Sequence, residues 1–270
     1  MTLDEVGEHG LLRELETRGL AEGIEHDAAQ IADLVVTQDA LVEGVHFRFD
    51  LVSWHDLGYR AAAVNISDLA ASGAEPLALL VTLGLPGATQ LADVVQLYEG
   101  LREAGYPVRG GDTSRADTVL LSVTAVGKAE RVPGRAGARP GDLVVVTGPL
   151  GAAGAAFREG RLSRPPIRVE EGLRLARVAT AMLDVSDGLA VDAAHIARRS
   201  GCRVAIELER APLARGALVE DVGFGEDYEL LAATPDPLGF TVIGRCEEGS
   251  GVGLTLNGNA FELAGWEHFR

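Results

Sequence analysis

Ser53-Trp-His-Asp-Leu-Gly-Tyr-Arg-Ala-Ala-Ala-Val-Asn-Ile-Ser-Asp-Leu-Ala-Ala-Ser-Gly73 is the stretch whose reading decides the architecture. It opens with the S-x-x-D form of a helix start and closes at a glycine, which predicts a helix from Trp54 to Ser72. Its small apolar side chains predict a buried helix. Asp68 lies inside it, beside Leu69, Ala70 and Ala71, although aspartate is a poor residue for a helix interior. A carboxylate on such a helix needs a partner, and a metal ion is one.

Working outward, the flanking segments alternate between strand-like and helix-like patterns. Leu34-Val35-Val36-Thr37 is a β-branched run ending at Asp39, and Leu77 to Leu83 reads as a strand closed by Pro86-Gly87. Thr89 is placed to cap a helix that runs to Ala104, and Val119 to Val126 is a further strand. The basic, loop-like run Arg131 to Gly141 makes a domain junction. Beyond it the pattern predicts strands at 142–147, 203–208 and 240–243, with helices at 152–159, 168–179 and 187–200. Alternation of this kind indicates an α/β or α+β protein in two parts.

Composition limits the function classes. The net charge of −16 opposes nucleic acid binding, which depends on basic residues releasing counterions from the backbone. No apolar run is long enough to span a membrane, so no membrane partner is expected. The acidic opening Met1-Thr2-Leu3-Asp4-Glu5 lacks the layout of a signal peptide, and a cytoplasmic location is the default. Lys128 is the sole lysine, which leaves arginine and bound metal to neutralise any polyphosphate. Cys202 and Cys246 are far apart and form no C-x-x-C pair, so free thiols are expected.

The sequence contains no G-x-x-x-x-G-K-[ST], H-E-x-x-H or G-x-S-x-G. Gly148-Pro-Leu-Gly151-Ala-Ala-Gly154 has glycine spacing that misses the dinucleotide fingerprint, and it reads as a tight strand-to-helix turn. More telling are aspartates at the ends of apolar segments: Asp27, Asp39, Asp68, Asp112, Asp184 and Asp187. Singly, most of these read as caps or turn residues. If they converge, their repulsion must be offset by cations, and hard oxygen ligands without a histidine–cysteine cluster favour magnesium. Carboxylates with magnesium are a usual means of holding a triphosphate where no P-loop lysine exists.

In order along the chain, Gly23-Ile-Glu-His-Asp-Ala-Ala29, Asp39-Ala-Leu-Val-Glu-Gly-Val-His-Phe47, Ala63 to Ala74, Gly110-Gly-Asp-Thr113, Arg135 to Asp142, Ala181-Met-Leu-Asp-Val-Ser-Asp-Gly-Leu189, Gly225-Glu-Asp-Tyr-Glu-Leu230 and Gly265-Trp-Glu-His-Phe269 resemble the thiamine-monophosphate kinase family. That family belongs to the aminoimidazole ribonucleotide synthetase-like superfamily. The resemblance implies the two-domain fold of that superfamily: an N-terminal ATP- and magnesium-binding domain (1–130), whose sheet pairs across a homodimer into a β-barrel, and a C-terminal α/β domain (131–270). It implies transfer of a phosphoryl group from ATP to thiamine monophosphate, giving thiamine diphosphate and ADP. Carried over by motif, several magnesium ions fall to Asp27, Thr37, Gln38, Asp39, Asp68, Asp112, Asp184 and Asp187. ATP contacts fall to Tyr98, Gly111, Asp112, Arg135 and Ser186, and substrate contacts to His46, Glu226 and Trp266. No residue is assigned as a general base.

Three positions depart from the family pattern. Glu25 and His26 replace a Gly-Asp pair ahead of Asp27, and Gln38 stands where a hydroxyl residue is usual. The stretch between Leu208 and Gly225 is also short. A sister ATP-dependent enzyme of the superfamily and a nucleotide-binding protein without turnover are the competing readings.

Overall fold

The structure is a computed structural model that describes residues 2–21 and 26–266. The departure at Glu25 lies outside the described residues, as do Gly23, Ile24 and the Glu-His-Phe that follows Trp266.

Five strands form the first sheet: β1 (Ala29–Ile31), β2 (Leu34–Val42), β3 (Glu75–Leu85), β4 (Val108–Arg115) and β5 (Leu120–Lys128), in the order β1-β2-β5-β3-β4. Only β3 and β4 run parallel; α3 (Leu91–Glu103) crosses between them, as a parallel connection requires. Alternation sets the two faces. Val35, Thr37 and Leu41 on β2, Leu121, Val123 and Ala125 on β5, and Leu79, Val81 and Leu83 on β3 are all buried beneath α2 (Trp54–Ala71). The opposite face carries Gln38, Thr124 and Leu80 in register.

Seven strands form the second sheet: β6 (Leu143–Val146), β7 (Ala181–Asp184), β8 (Arg203–Glu207), β9 (Leu230–Thr234), β10 (Thr241–Glu247), β11 (Gly251–Leu256) and β12 (Asn259–Phe261). Their order is β12-β11-β8-β10-β6-β9-β7. The helices α4 (Ala152–Arg158), α5 (Val169–Leu175) and α6 (Leu189–Ser200) connect them, and α1 (Leu3–Thr17) precedes the first sheet. No helix among the described residues is long and apolar enough to cross a membrane.

The central helix α2 joins the two halves. Ser53 caps it, accepting from Asp56 N, and thirteen of its residues are buried. It packs on β2 and β5 at one side and on α5, β7 and β9 at the other. One apolar core therefore runs from Leu79 and Val123, through Ile66 and Leu69, to Val145, Met182 and Leu230. A helix apolar around its circumference has to be enclosed in this way.

Some local expectations change. The α3 cap is Gln90, whose side chain makes no capping bond, so Thr89 does not cap it. Asp112 lies inside β4 rather than after it, because the parallel ladder to β3 continues through Arg115. Asp187 precedes α6, which begins only at Leu189. The turn at Gly148–Gly151 is a strand-to-helix turn, with Gly151 at φ 82°.

Two glycines set the distance between α2 and α3. A Cβ on Gly58 would lie 1.9 Å from Leu97 O, and one on Gly100 would lie 1.9 Å from His55 O. Gly100→Ala should therefore cost about 3 kcal/mol as the helices are forced apart. The sign is diagnostic, since the same change in an uncrowded helix stabilises by about 1 kcal/mol. Urea denaturation decides: a lower midpoint is expected, and a raised one would mean that the helices do not meet there.

Candidate active site

The carboxylates converge where the C-terminal end of β7 meets the middle of α2. Thr37 is on the buried face of β2, and its Oγ1 lies 2.6 Å from Asp68 Oδ2 and 2.9 Å from Asp27 O. Asp39, two residues on and so on the same face, has its N–H held by Asn65 Oδ1 at 3.0 Å. Ser67 Oγ donates to Asp184 Oδ2 at 2.5 Å. Arg135, from the junction between the sheets, bonds Asp27 Oδ1 through Nη2 at 2.5 Å and Nε at 3.2 Å. Carboxylate oxygens of Asp27, Asp68 and Asp184 lie within 4.8 Å of one another.

These charges repel, and burial removes the water that would screen them. Burial, then the neighbouring charge of Asp27, raises the Asp39 carboxyl to about 6. Burial, then Asp27, raises Asp184 to about 7, with the Ser67 hydroxyl partly offsetting them. Asp68 is pushed well up by burial and then by Asp39, Asp184 and Asp27. Cations bound among these carboxylates would relieve that repulsion. The donor set is hard oxygen with no histidine or cysteine in it, which fits magnesium.

The loop after β7 is fixed from several directions. Asp187 N and Gly188 N both donate to Asp192 Oδ2, at 3.1 and 3.0 Å. Trp266 N donates to Asp187 O, and Glu226 N to Ser186 O. Ser186 and Asp187 thus stand between the carboxylates and the two residues Glu226 and Trp266. The segment Gly225–Glu229 is itself held by its acids. Asp227 accepts from Gly151 N and Ala153 N, at 2.6 and 3.1 Å, so these two backbone donors of the Gly148–Gly154 turn are engaged by protein. Glu229 takes both Arg168 Nε and Nη2, at 2.7 and 2.6 Å.

The structure thus gathers Asp27, Thr37, Asp39, Asp68, Arg135, Asp184, Ser186 and Asp187, with Glu226 and Trp266 adjoining them. His46 sits on the turn after β2, its Nδ1 accepting from Val42 N at 3.1 Å. Other expected residues are elsewhere. The Gln38 side chain points to the opposite face of the sheet and donates to Ser122 Oγ at 2.8 Å, so of the two routes to a metal open to this residue, amide oxygen or backbone carbonyl, the carbonyl is the one on the side of the cluster's strand backbone. Asp112 is on β4, three strands from β2 and thus about 14 Å away. Its register partners Thr82 and Ser122 place it on that same opposite face. Gly111 shares its strand, and Tyr98 is exposed on α3. A cavity of about 450 Å³ lies apart from the carboxylates, between Phe49, Val52, Arg60 and Leu162.

Sequence reasoning passes over Asn65, Ser67 and Asp192. Asn65 and Ser67 carry a signal, being polar residues in the interior of the same alanine-rich helix that draws attention to Asp68. Asp192 follows Asp187 by five residues on a helix and gives none beyond its charge.

Comparison with known proteins gives the family. The AIR synthase related protein, N-terminal domain family matches residues 25–129. A thiamine-monophosphate kinase of Aquifex aeolicus is 34% identical over 100% of both chains. The chain belongs to the thiamine-monophosphate kinase family. Among solved structures of thiamine-monophosphate kinases, AaThiL complexed with AMPPCP and TMP has 34% identity and a TM-score of 0.89, covering 99% of each chain. The thiamine-monophosphate kinase of Stenotrophomonas maltophilia has 32% identity and a TM-score of 0.75, covering 93% of this chain and 96% of that one.

The raised carboxyls have a consequence for stability. Unfolded aspartates titrate near about 4. Folded Asp39 and Asp184 titrate near 6 and 7, so the folded chain binds more protons across the interval between. Their contribution is present in full at the acid end and declines as pH rises to about 7.5. Magnesium, which competes with those protons, should raise the melting temperature more at pH 7.5 than at pH 5.5. Differential scanning fluorimetry at the two pH values tests this; an equal shift at both would count against the cluster as the metal site. Asp184→Asn should melt higher than the native chain without metal and respond less to magnesium.

Proposed function

We propose that the chain is a cytoplasmic, magnesium-dependent kinase that transfers the γ-phosphoryl group of ATP to thiamine monophosphate, giving thiamine diphosphate and ADP. The observation that carries this reading is the convergence of Asp27, Asp39, Asp68 and Asp184 from separate parts of the chain on one buried locus. Full-length similarity to thiamine-monophosphate kinases supports the choice of acceptor. So does a solved relative complexed with an ATP analogue and TMP.

Asp27, Thr37, Asp39, Asp68, Asp184 and Asp187 would hold the magnesium ions. When bound, these would screen two polyphosphates and polarise the transferred group. The chain's own task is alignment. Arg135 offers a charged fork to phosphate oxygens, and Ser186 stands in the loop that carries Asp187. His46, Glu226 and Trp266 receive the acceptor; the exposed Trp266 ring offers a flat surface to a cationic heteroaromatic. The nucleophile is an oxygen of the acceptor's own phosphate, ionised at neutral pH. Catalysis then rests on bringing donor and acceptor into line, with no side chain required to remove a proton.

Residues 1–130 form the nucleotide and dimerisation domain, and 131–270 the domain that completes the site. The outer face of the first sheet exposes Leu80 (42%), and exposed Ile31 (58%) lies on its edge strand β1. Burial of this face against a second copy gives the homodimer and its β-barrel. Gly111, Asp112 and Tyr98 are assigned to the ATP and metal site of that assembly, since they stand apart from the cluster within one chain.

Incubation with ATP, magnesium and thiamine monophosphate should yield thiamine diphosphate and ADP, and a chelator should stop it. Absence of product across metals and pH would sink the reading. Asp68→Asn should lower kcat by at least about 100-fold, a typical loss when a group that stabilises transition-state charge is removed. Leu80→Glu should shift the sedimenting species from dimer to monomer.

A further inference from the structure

We infer that Arg60 is a positioning residue of the acceptor subsite, acting through Glu226; this rests on the activity proposed above. Arg60 is 2% exposed and is among the largest fully buried side chains of the molecule. It stands on α2 seven residues before Ser67, so the two project from nearly the same face, about 10 Å apart along the axis. Both reach from the central helix into the C-terminal half. Ser67 holds Asp184 at the carboxylate cluster, and Arg60 forms an ion pair with Glu226. One rigid helix therefore fixes a metal ligand and an acceptor-binding carboxylate relative to each other.

The surroundings of Arg60 separate this role from that of a simple strut. Its Nη1 donates to Ser163 O at 3.1 Å, and its guanidinium lies 5.8 Å from the Tyr228 ring centroid. Its Nε and Nη2 are buried with no hydrogen-bond partner among the described residues, so Nη2 meets Glu226 as an ion pair rather than through an aligned hydrogen bond. A structural arginine normally satisfies its buried donors, because an unmet one is costly. Glu226, by contrast, keeps 29% of its side chain exposed. It also sits at φ +59°, with Tyr228 at +52°, conformations that non-glycine residues hold only when the surroundings impose them. The cation on α2 is what keeps this strained carboxylate aimed, with its free face toward the acceptor.

The test is steady-state kinetics with MgATP on the full chain, comparing Arg60→Met, Arg60→Lys, Glu226→Gln and the double variant Arg60→Met with Glu226→Gln. Arg60→Met should raise KM for thiamine monophosphate at least about 10-fold and leave KM for ATP within about 2-fold. Arg60→Lys, which restores the cation, should recover most of that loss. In the double variant the acceptor KM should be no worse than in the worse single variant, as expected when one residue acts through the other. Equal damage to KM for ATP, no change in the acceptor KM, or effects that multiply in the double variant would each overturn the positioning role. Should Arg60→Met fail to fold, Arg60→Gln, which keeps a donor for Ser163 O, carries the same comparison. Failure of the wild-type chain to make thiamine diphosphate would instead overturn the activity and this inference with it.

Discussion

The structure depends on enclosing α2 from all sides. An alanine-rich helix with apolar residues around its circumference cannot face water, so both halves of the chain close on it. Each polar group it carries must then find a partner in the interior. Asn65 takes the backbone of Asp39, Ser67 takes Asp184, Asp68 takes Thr37 and Arg60 takes Glu226. These contacts bring residues from β2, from the end of β7 and from the loop before β9 to one element. The requirement that buried polar atoms be satisfied is thus what assembles the site.

The second support comes from acids outside the cluster. Asp192 gathers two backbone donors and sets the turn at Asp187-Gly188, while Asp227 closes the N-terminal end of α4. Arg168 and Thr147 hold Glu229, whose backbone carbonyl in turn accepts from Val185 N. Loops at the ends of buried strands gain shape from such bonds more cheaply than from packing, because a carboxylate accepts several N–H groups at once. The acidic composition, apparent from a net charge of −16, therefore has two uses within the site: some aspartates make up the cluster, and others hold the loops around it.

Much of this organisation is legible in the amino-acid sequence. Long elements with clear periodicity, such as α2 and β5, follow from pattern alone. So does the position of Asp68, since an aspartate amid alanines conflicts with its neighbours. What pattern misses has physical reasons. β7 and β9 are short and buried on both faces, so they show no alternation. β4 is rich in glycine and polar residues because it is an edge strand, and its ladder to β3 rather than its composition makes it extended. Adjacency groups the Gln38 side chain with Thr37 and Asp39, yet successive residues on a strand point to opposite faces. Asp192 and Arg60 act only through contacts made across the fold, and local sequence holds no trace of those.

The one lysine, exposed at Lys128 and paired with Asp33, leaves arginine to manage charge within the site. In the structure Arg135 is bonded to Asp27, so the cluster already has one fixed cation beside it. That pairing lowers the repulsion within the cluster, although the raised carboxyls of Asp39, Asp68 and Asp184 show that it does not remove it. Magnesium and nucleotide arriving together would supply both the charge that Asp27 needs and the phosphate oxygens that suit a guanidinium. Each partner of the Arg135–Asp27 pair could then be satisfied by the incoming complex. A lysine, as a compact charge without a fixed fork, would hold the carboxylate equally well but would lose the bidentate geometry toward phosphate. An arginine at this junction would therefore serve as a counterion to Asp27 without metal and as a phosphate clamp in a loaded site, with no need for a separate residue in each state.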